Sequence, residues 1–238
     1  MALGTPSATP APHDLRFDAG RICLDLLATT HPLERLDALP ALCAWITGSG
    51  LVPPGTPLAH ADPAWPAAFR ELRGHVGQLV HGWLAHDVHD VHDVHDVHDV
   101  HDVHDVHDVH DAHDVHDVHD DLALTHATTR ALAHVNQAAR AAPPPAPLAV
   151  RAQDGTLVRR LDGPPACAAL LAEIARDAVE LLTDPAARAG LRQCEGDNCP
   201  IVYVDTSRGR RRRWCSSEVC GNRERVARHR RRAALARA

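Results

Sequence analysis

The 238-residue sequence has no lysine, one methionine, one tyrosine and two phenylalanines, and aromatic residues make up only 3% of it. All 25 basic side chains are therefore arginine, which stays charged at any relevant pH and grips phosphate through two parallel hydrogen bonds. No apolar run is long enough to span a bilayer, so no membrane partner is expected. The N-terminus lacks a basic stretch followed by an apolar one, so no secretory leader is read there. No Walker loop, G-x-S-x-G or H-E-x-x-H occurs. Twelve of the 20 histidines belong to one repeat, and the other eight show no ligand or triad spacing along the chain, so an enzyme is not expected. Collagen-like and wholly disordered classes fail because about half the chain carries clean helical periodicity.

Cysteine is scarce outside one short stretch. Four of the seven lie between Cys194 and Cys220, while Cys23, Cys43 and Cys167 sit singly in apolar surroundings. A secreted disulfide framework would be spread along the chain and usually even in number. A reducing, cytoplasmic setting is expected, with the three scattered thiols acting as small buried hydrophobes.

The formal charge of −6 averages three unlike segments. From His86 to Asp120 runs a tract of twelve His-Asp units, nearly all His-Asp-Val, carrying −12. From Arg208 onward there are twelve arginines against Glu218 and Glu224, or +10. Without the tract the chain would carry +6.

Period three fits neither regular structure. On a helix each repeat advances about 300°, so like side chains drift around the cylinder and no apolar face forms. On a strand valine alternates between faces. A solvated, mostly disordered insert is expected at 86–120. Three roles remain open to it: weak chelation by its imidazoles and carboxylates, pH response, and competition with an anionic partner for the arginine-rich end.

Residues 1–15, rich in Pro, Ala and Thr, read as a flexible lead. Arg21 to Leu27 is the first apolar segment, short enough for a strand or a helix start. Helices are predicted from Asp37 to Ile46, from Asp62-Pro63 onward, and over Leu122 to Arg140. In the second of these Trp65, Phe69, Leu72, Val76, Leu79 and Trp83 form the apolar stripe, with Arg70, Glu71 and Arg73 on the other side. A hairpin is predicted at Leu148–Gln153 and Thr156–Leu161 around Asp154-Gly155. Another helix follows over Pro165 to Leu182, with Glu173, Arg176, Asp177 and Glu180 facing out, and Asp184-Pro185 opens a short one. The fold class is mainly α with a small β-hairpin: a helical domain over 16–190, interrupted by the tract, then a four-cysteine module over 191–232 and a tail at 233–238.

The strongest chemistry is Cys194-x4-Cys199-x15-Cys215-x4-Cys220. Two matched thiol pairs across a hairpin-length spacer supply four soft ligands, the set a structural Zn²⁺ takes. Gly196 and Asn198 suit the tight reversal in the first pair, and Gly221 the second. Between the pairs Ile201 to Val204 reads as a strand, with Arg210 to Trp214 returning antiparallel, in a zinc-ribbon or treble-clef-like layout. A helix is predicted from about Asn222. Some 32 residues cannot bury enough apolar surface to fold alone, so one bound zinc ion would supply the folding energy.

Asp205-Thr206-Ser207, Arg213-Trp214-Cys215-Ser216 and Cys220-Gly221-Asn222-Arg223 resemble the CGNR zinc finger, named for that last tetrapeptide. In that family the finger follows a helical ABATE domain with a proposed role in stress-induced transcription. Arg21-Ile22-Cys23-Leu24-Asp25 resembles that domain's opening, and Leu42 to Leu51 with Trp45 its first helix and exit. This chain has Leu26-Leu27-Ala28-Thr29 where the opening usually continues with an aromatic and Asn-Thr. The resemblance implies DNA-binding regulation.

Charge placement points the same way. Arg208, Arg210, Arg211, Arg212 and Arg213 cluster in the module, and Arg223, Arg225, Arg228 and Arg232 follow on its helix, the last three sharing a face. These are the candidate DNA contacts, acting on the phosphate backbone with salt-sensitive affinity. The alternative is an RNA-binding or protein-interaction module without sequence-specific DNA recognition. Tyr203 and Trp214 alone make a poor stacking platform for single strands. A small-molecule effector of the helical domain and a homodimer are both compatible with the sequence.

Overall fold

The computed structural model describes residues 15–92 and 114–235. The lead at 1–14, the middle of the repeat at 93–113 and the last three residues lie outside the described residues, and the expectations for them with it. Seven helices and two small antiparallel hairpins make up the described chain.

The first apolar segment is a helix, α1 (Ile22–Leu27), that buries Cys23, Leu24, Asp25 and Leu26. No side chain of its own caps it. Instead Asp177, far along the chain, accepts the Cys23 N–H at 2.9 Å and pairs with Arg21 at 2.8 Å. Asp177, expected to face out, is thus the cap that fastens α1, satisfying an N–H that the helix itself leaves open.

Helix α2 (Leu39–Gly48) buries Trp45 and Ile46, and Trp45 meets Phe69 edge-on at 6.1 Å between centroids. Helix α3 (Trp65–His92) is opened by Asp62, whose side chain accepts the Ala64 N–H at 2.6 Å. Its Phe69, Leu72, Val76 and Val80 are buried. Arg73, expected in solvent, is 8% exposed. Its guanidinium donates to Thr29 Oγ1 at 2.7 Å and makes a two-pronged pair with Glu34 at 2.9 and 2.5 Å. Burial works to raise the Glu34 carboxyl, yet the Arg73 bonds hold it below its ordinary value.

Helix α4 (Asp114–Ala139) packs on α3 through Ala131 and Val135. The repeat is helical at both of its ends, as the last residues of α3 and the first of α4. A helix already nucleated by docking adds one hydrogen bond per further residue, which mediocre helix formers sustain for a turn or two. Strands β1 (Pro147–Arg151) and β2 (Leu157–Leu161) form the predicted hairpin, with Gly155 at φ 85° in its turn. Helix α5 (Cys167–Thr183) buries Leu170, Ile174, Ala178 and Leu181, and Asp184 caps the short α6 (Pro185–Arg188).

The C-terminal part departs from the expected ribbon. Strand β4 (Val202–Val204) pairs not with Arg210–Trp214 but with β3 (Leu191–Gln193), just before the first cysteine. Arg210 has φ 46°, off the extended conformation a strand needs. The segment 210–214 is held at single points instead, Arg213 O accepting the Glu195 N–H and Arg212 O the Tyr203 hydroxyl. Helix α7 (Cys220–Leu235) begins at the fourth cysteine, two residues earlier than expected.

Candidate metal centre and arginine surface

Cys194, Cys199, Cys215 and Cys220 are all buried, and their four sulfurs lie within 4.8 Å of one another. Cys215 Sγ stands 3.6 Å from Cys199 Sγ and 3.5 Å from Cys220 Sγ. Four sulfurs at about 2.3 Å from a central zinc would be about 3.8 Å apart, so the set closes on an ion with shifts of about an ångström at most. The backbone N–H groups of Gly196 and Cys215 point at Cys194 Sγ at 3.4 and 3.3 Å. Burial raises that thiol, but these donors bring it below its ordinary value, the environment a metal-bound thiolate needs. Burial pushes Cys199 up to about 11 and Cys215 higher still.

The reversal in the first pair uses Asn198 at φ 55°. Gly196 serves packing: a Cβ there would stand 3.2 Å from Cys220 Cβ and 3.4 Å from Cys194 Sγ. In the second pair the Gly221 N–H donates to Ser216 O at 2.9 Å. The donor set, its burial and its close grouping suit a bound metal ion, and four sulfurs are the set a structural zinc takes.

The finger is not tethered at arm's length. Cys194, Ile201, Tyr203, Val204 and Cys215 belong to the same buried cluster as Leu24, Trp45 and Phe69. Val204 N–H donates to Ala19 O at 2.9 Å, and Arg212 reaches Asp18 O at 3.0 Å. Arg16 pairs with Asp18 at 2.9 Å. Burial would lower the Arg16 guanidinium, but Asp18 and the nearby Cys215 sulfur hold it above its ordinary value. Arg16 and Asp18 carry no motif, so chain pattern gives no signal for them.

The nine candidate DNA-contact arginines divide into three groups. Arg212 is turned inward: its guanidinium lies 4.4 Å from the Tyr203 ring centre and donates to Trp214 O, Asp18 O and Cys215 O. Arg210, Arg213, Arg223 and Arg225 are exposed but engaged, with Ala186 O, Glu195, Asp197 O and the Gly221 and Ser217 carbonyls respectively. Arg208, Arg211, Arg228 and Arg232 are exposed, as is Arg230, and among the described residues none of these five side chains has a hydrogen-bond or ion-pair partner. Tyr203 is fully buried, leaving no ring there for a base to stack on.

Of the three scattered thiols only Cys23 is buried as expected, while Cys43 and Cys167 are half-buried. Burial raises Cys43 and takes Cys167 to about 11, and Cys23 lies well above its ordinary value.

A helical body joined to a buried four-cysteine metal-binding finger is the class that fold and site define. The model of the CGNR zinc finger matches residues 191–233. The ABATE model, which carries the description "Putative stress-induced transcription regulator", matches 20–102 and 81–185, well over half of the chain. The chain belongs to the ABATE family and ends in a CGNR zinc finger. These are finger and regulator families rather than enzyme families. A comparison with curated proteins found no match. Among the described residues no helix is long and apolar enough to cross a membrane.

Proposed function

We propose that the chain is a zinc-dependent DNA-binding transcriptional regulator. One structural zinc ion on Cys194, Cys199, Cys215 and Cys220 fixes the finger, and its arginines meet the phosphate backbone. The observation that carries this reading is the set of five exposed arginines without a protein partner: Arg208 and Arg211 on the finger, Arg228, Arg230 and Arg232 along α7. Charge held on a rigid scaffold with no internal partner gives up no protein contact when it meets a polyanion. Arg212 supports the scaffold rather than the contact. An effector of the helical domain has room in a cleft of about 490 Å³ lined in part by Pro144, Arg159, Glu173, Arg176 and Glu180.

The test is a mobility shift on duplex DNA across a salt series. With about five phosphates neutralised, log affinity should fall against log salt with a slope of about −4 to −5. Replacing Arg228, Arg230 and Arg232 by alanine should remove more than half of that slope. Tight binding that ignores both salt and these replacements would overturn the reading.

A further inference from the structure

We propose that Glu71, His75 and His134 form a second metal site, unconnected with the finger, that holds a divalent transition-metal ion across α3 and α4. Glu71 and His75 stand one turn apart on α3, the spacing at which two side chains of one helix reach a common point. His134 comes from α4, and the three donor atoms lie within 4.8 Å of one another. Nothing in the chain pattern announces this, because the third ligand is distant in sequence.

The geometry is that of groups poised around a point rather than bonded to each other. His134 Nδ1 is 3.9 Å from Glu71 Oε1, beyond a hydrogen bond. The His75 and His134 rings face one another at 4.2 Å between centroids, tilted by 33°. Gln78 Oε1 lies 3.4 Å from His75 Nδ1, and a proton on Nδ1 directed at it would leave the Nε2 lone pair for a metal. An outer partner of this kind fixes the tautomer of a metal-bound histidine. Bound donors at about 2.1 Å from a metal stand about 3.0–3.4 Å apart, so the ligands close by an ångström or so. Histidine and glutamate side chains that are partly or fully exposed reach this by rotating about χ1 and χ2.

Two imidazoles and one carboxylate select ions of the Zn²⁺, Ni²⁺ and Co²⁺ class over Mg²⁺ and Ca²⁺, which take oxygen ligands. Three protein ligands leave open positions for water. The ion would clamp together the two helices that the His-Asp-Val tract connects, so binding should stabilise the fold. The twelve histidines of the tract are the competing binders the experiment must separate.

The test is thermal unfolding of the full chain, its finger already loaded, with Zn²⁺ added beyond the amount the finger takes. At free metal about a hundredfold above Kd, Tm should rise by about 5–10 °C in the wild type. His134→Ala, His75→Ala and Glu71→Ala, all at solvent-accessible positions, should fold and lose most of that rise. Uptake by the tract alone would move the wild type and the variants equally. An equal rise in all four chains, or no rise in the wild type, would overturn the site; full retention in any one variant would remove that residue and with it the three-ligand arrangement.

Discussion

Between Ile22 and Thr183 the buried side chains are mostly Leu, Ile, Val, Ala, Trp and Phe, with Asp25 and Arg73 as buried charged groups and Thr29 as a buried polar one. From Leu191 to Cys220 nine side chains are buried hydrophobes, and four of these are the cysteines. Apolar area stabilises the helical body, at about 25 cal/mol per Å² removed from water. The finger has less of it, and on the proposed reading a metal held by its four sulfurs supplies the rest. The two regions nonetheless share one continuous core, joined at residues 16–20 and β4. Two sources of stability therefore meet in a single buried cluster, and a change to either should register in both.

The largest effect follows from metal removal. Chelation, or Cys215→Ser, should take on the order of 10 kcal/mol from the finger. If the core is shared, the helical transition should also drop, by about 5 °C or more, because Ala19, Gly20 and Leu24 lose their cover. Circular dichroism of the helical melt with and without chelator reads this directly. An unmoved helical Tm would show two independent regions.

Arg73 probes the comparison from the other side. Arg73→Met strips the Glu34 and Thr29 partners and should cost about 3 kcal/mol in chemical denaturation, the usual scale for breaking a mostly buried pair. Bound metal per folded chain should stay constant. Loss of metal in parallel with stability would mean that the helical body orders the sulfur site, reversing the direction of dependence.

These two sites differ in how much of them can be read along the chain. The four cysteines announce themselves through spacing alone, since metal ligation limits the residue types. The hairpin, α5 and the Asp184 cap are likewise visible, each fixed by local pattern. Arg73 is i+4 from Phe69 and i−3 from Val76, squarely on the buried face, but residue type outweighed position. A buried arginine makes sense only once Glu34 and Thr29, some forty residues earlier, are known to be beside it. The same holds for Asp177 capping α1, for β4 pairing with β3, and for His134 beside Glu71 and His75. Arg212 was legible as charge but not as direction, because the carbonyls that turn it inward belong to loops whose path is a tertiary property.

The smallest effect isolates the joint itself. Asp25 Oδ1 accepts the Ala19 N–H at 3.0 Å, and Ala19 O in turn accepts the Val204 N–H, so a three-residue chain links α1 to the finger. Burial raises the Asp25 carboxyl from 3.8 to about 7, with Asp18 and Asp177 adding to the shift and Ala19 N–H and Arg16 opposing it. A carboxyl raised on folding is protonated in the native chain at pH values where the unfolded chain has already ionised. Its favourable contribution is whole below about pH 4 and is lost as pH rises to about 7, beyond which the dependence is flat. The loss should amount to about 2–4 kcal/mol. Asp25→Asn keeps an acceptor for Ala19 and cannot ionise, so it should lack this loss. The difference in stability between variant and wild type should therefore grow in the variant's favour from pH 4 to pH 7 and then hold. Every other titrating group, the histidines included, is common to both chains and cancels in that difference. Parallel pH curves would mean that Asp25 stays ionised in the native joint, held by Arg16, and that the link from α1 to the finger is charged rather than neutral.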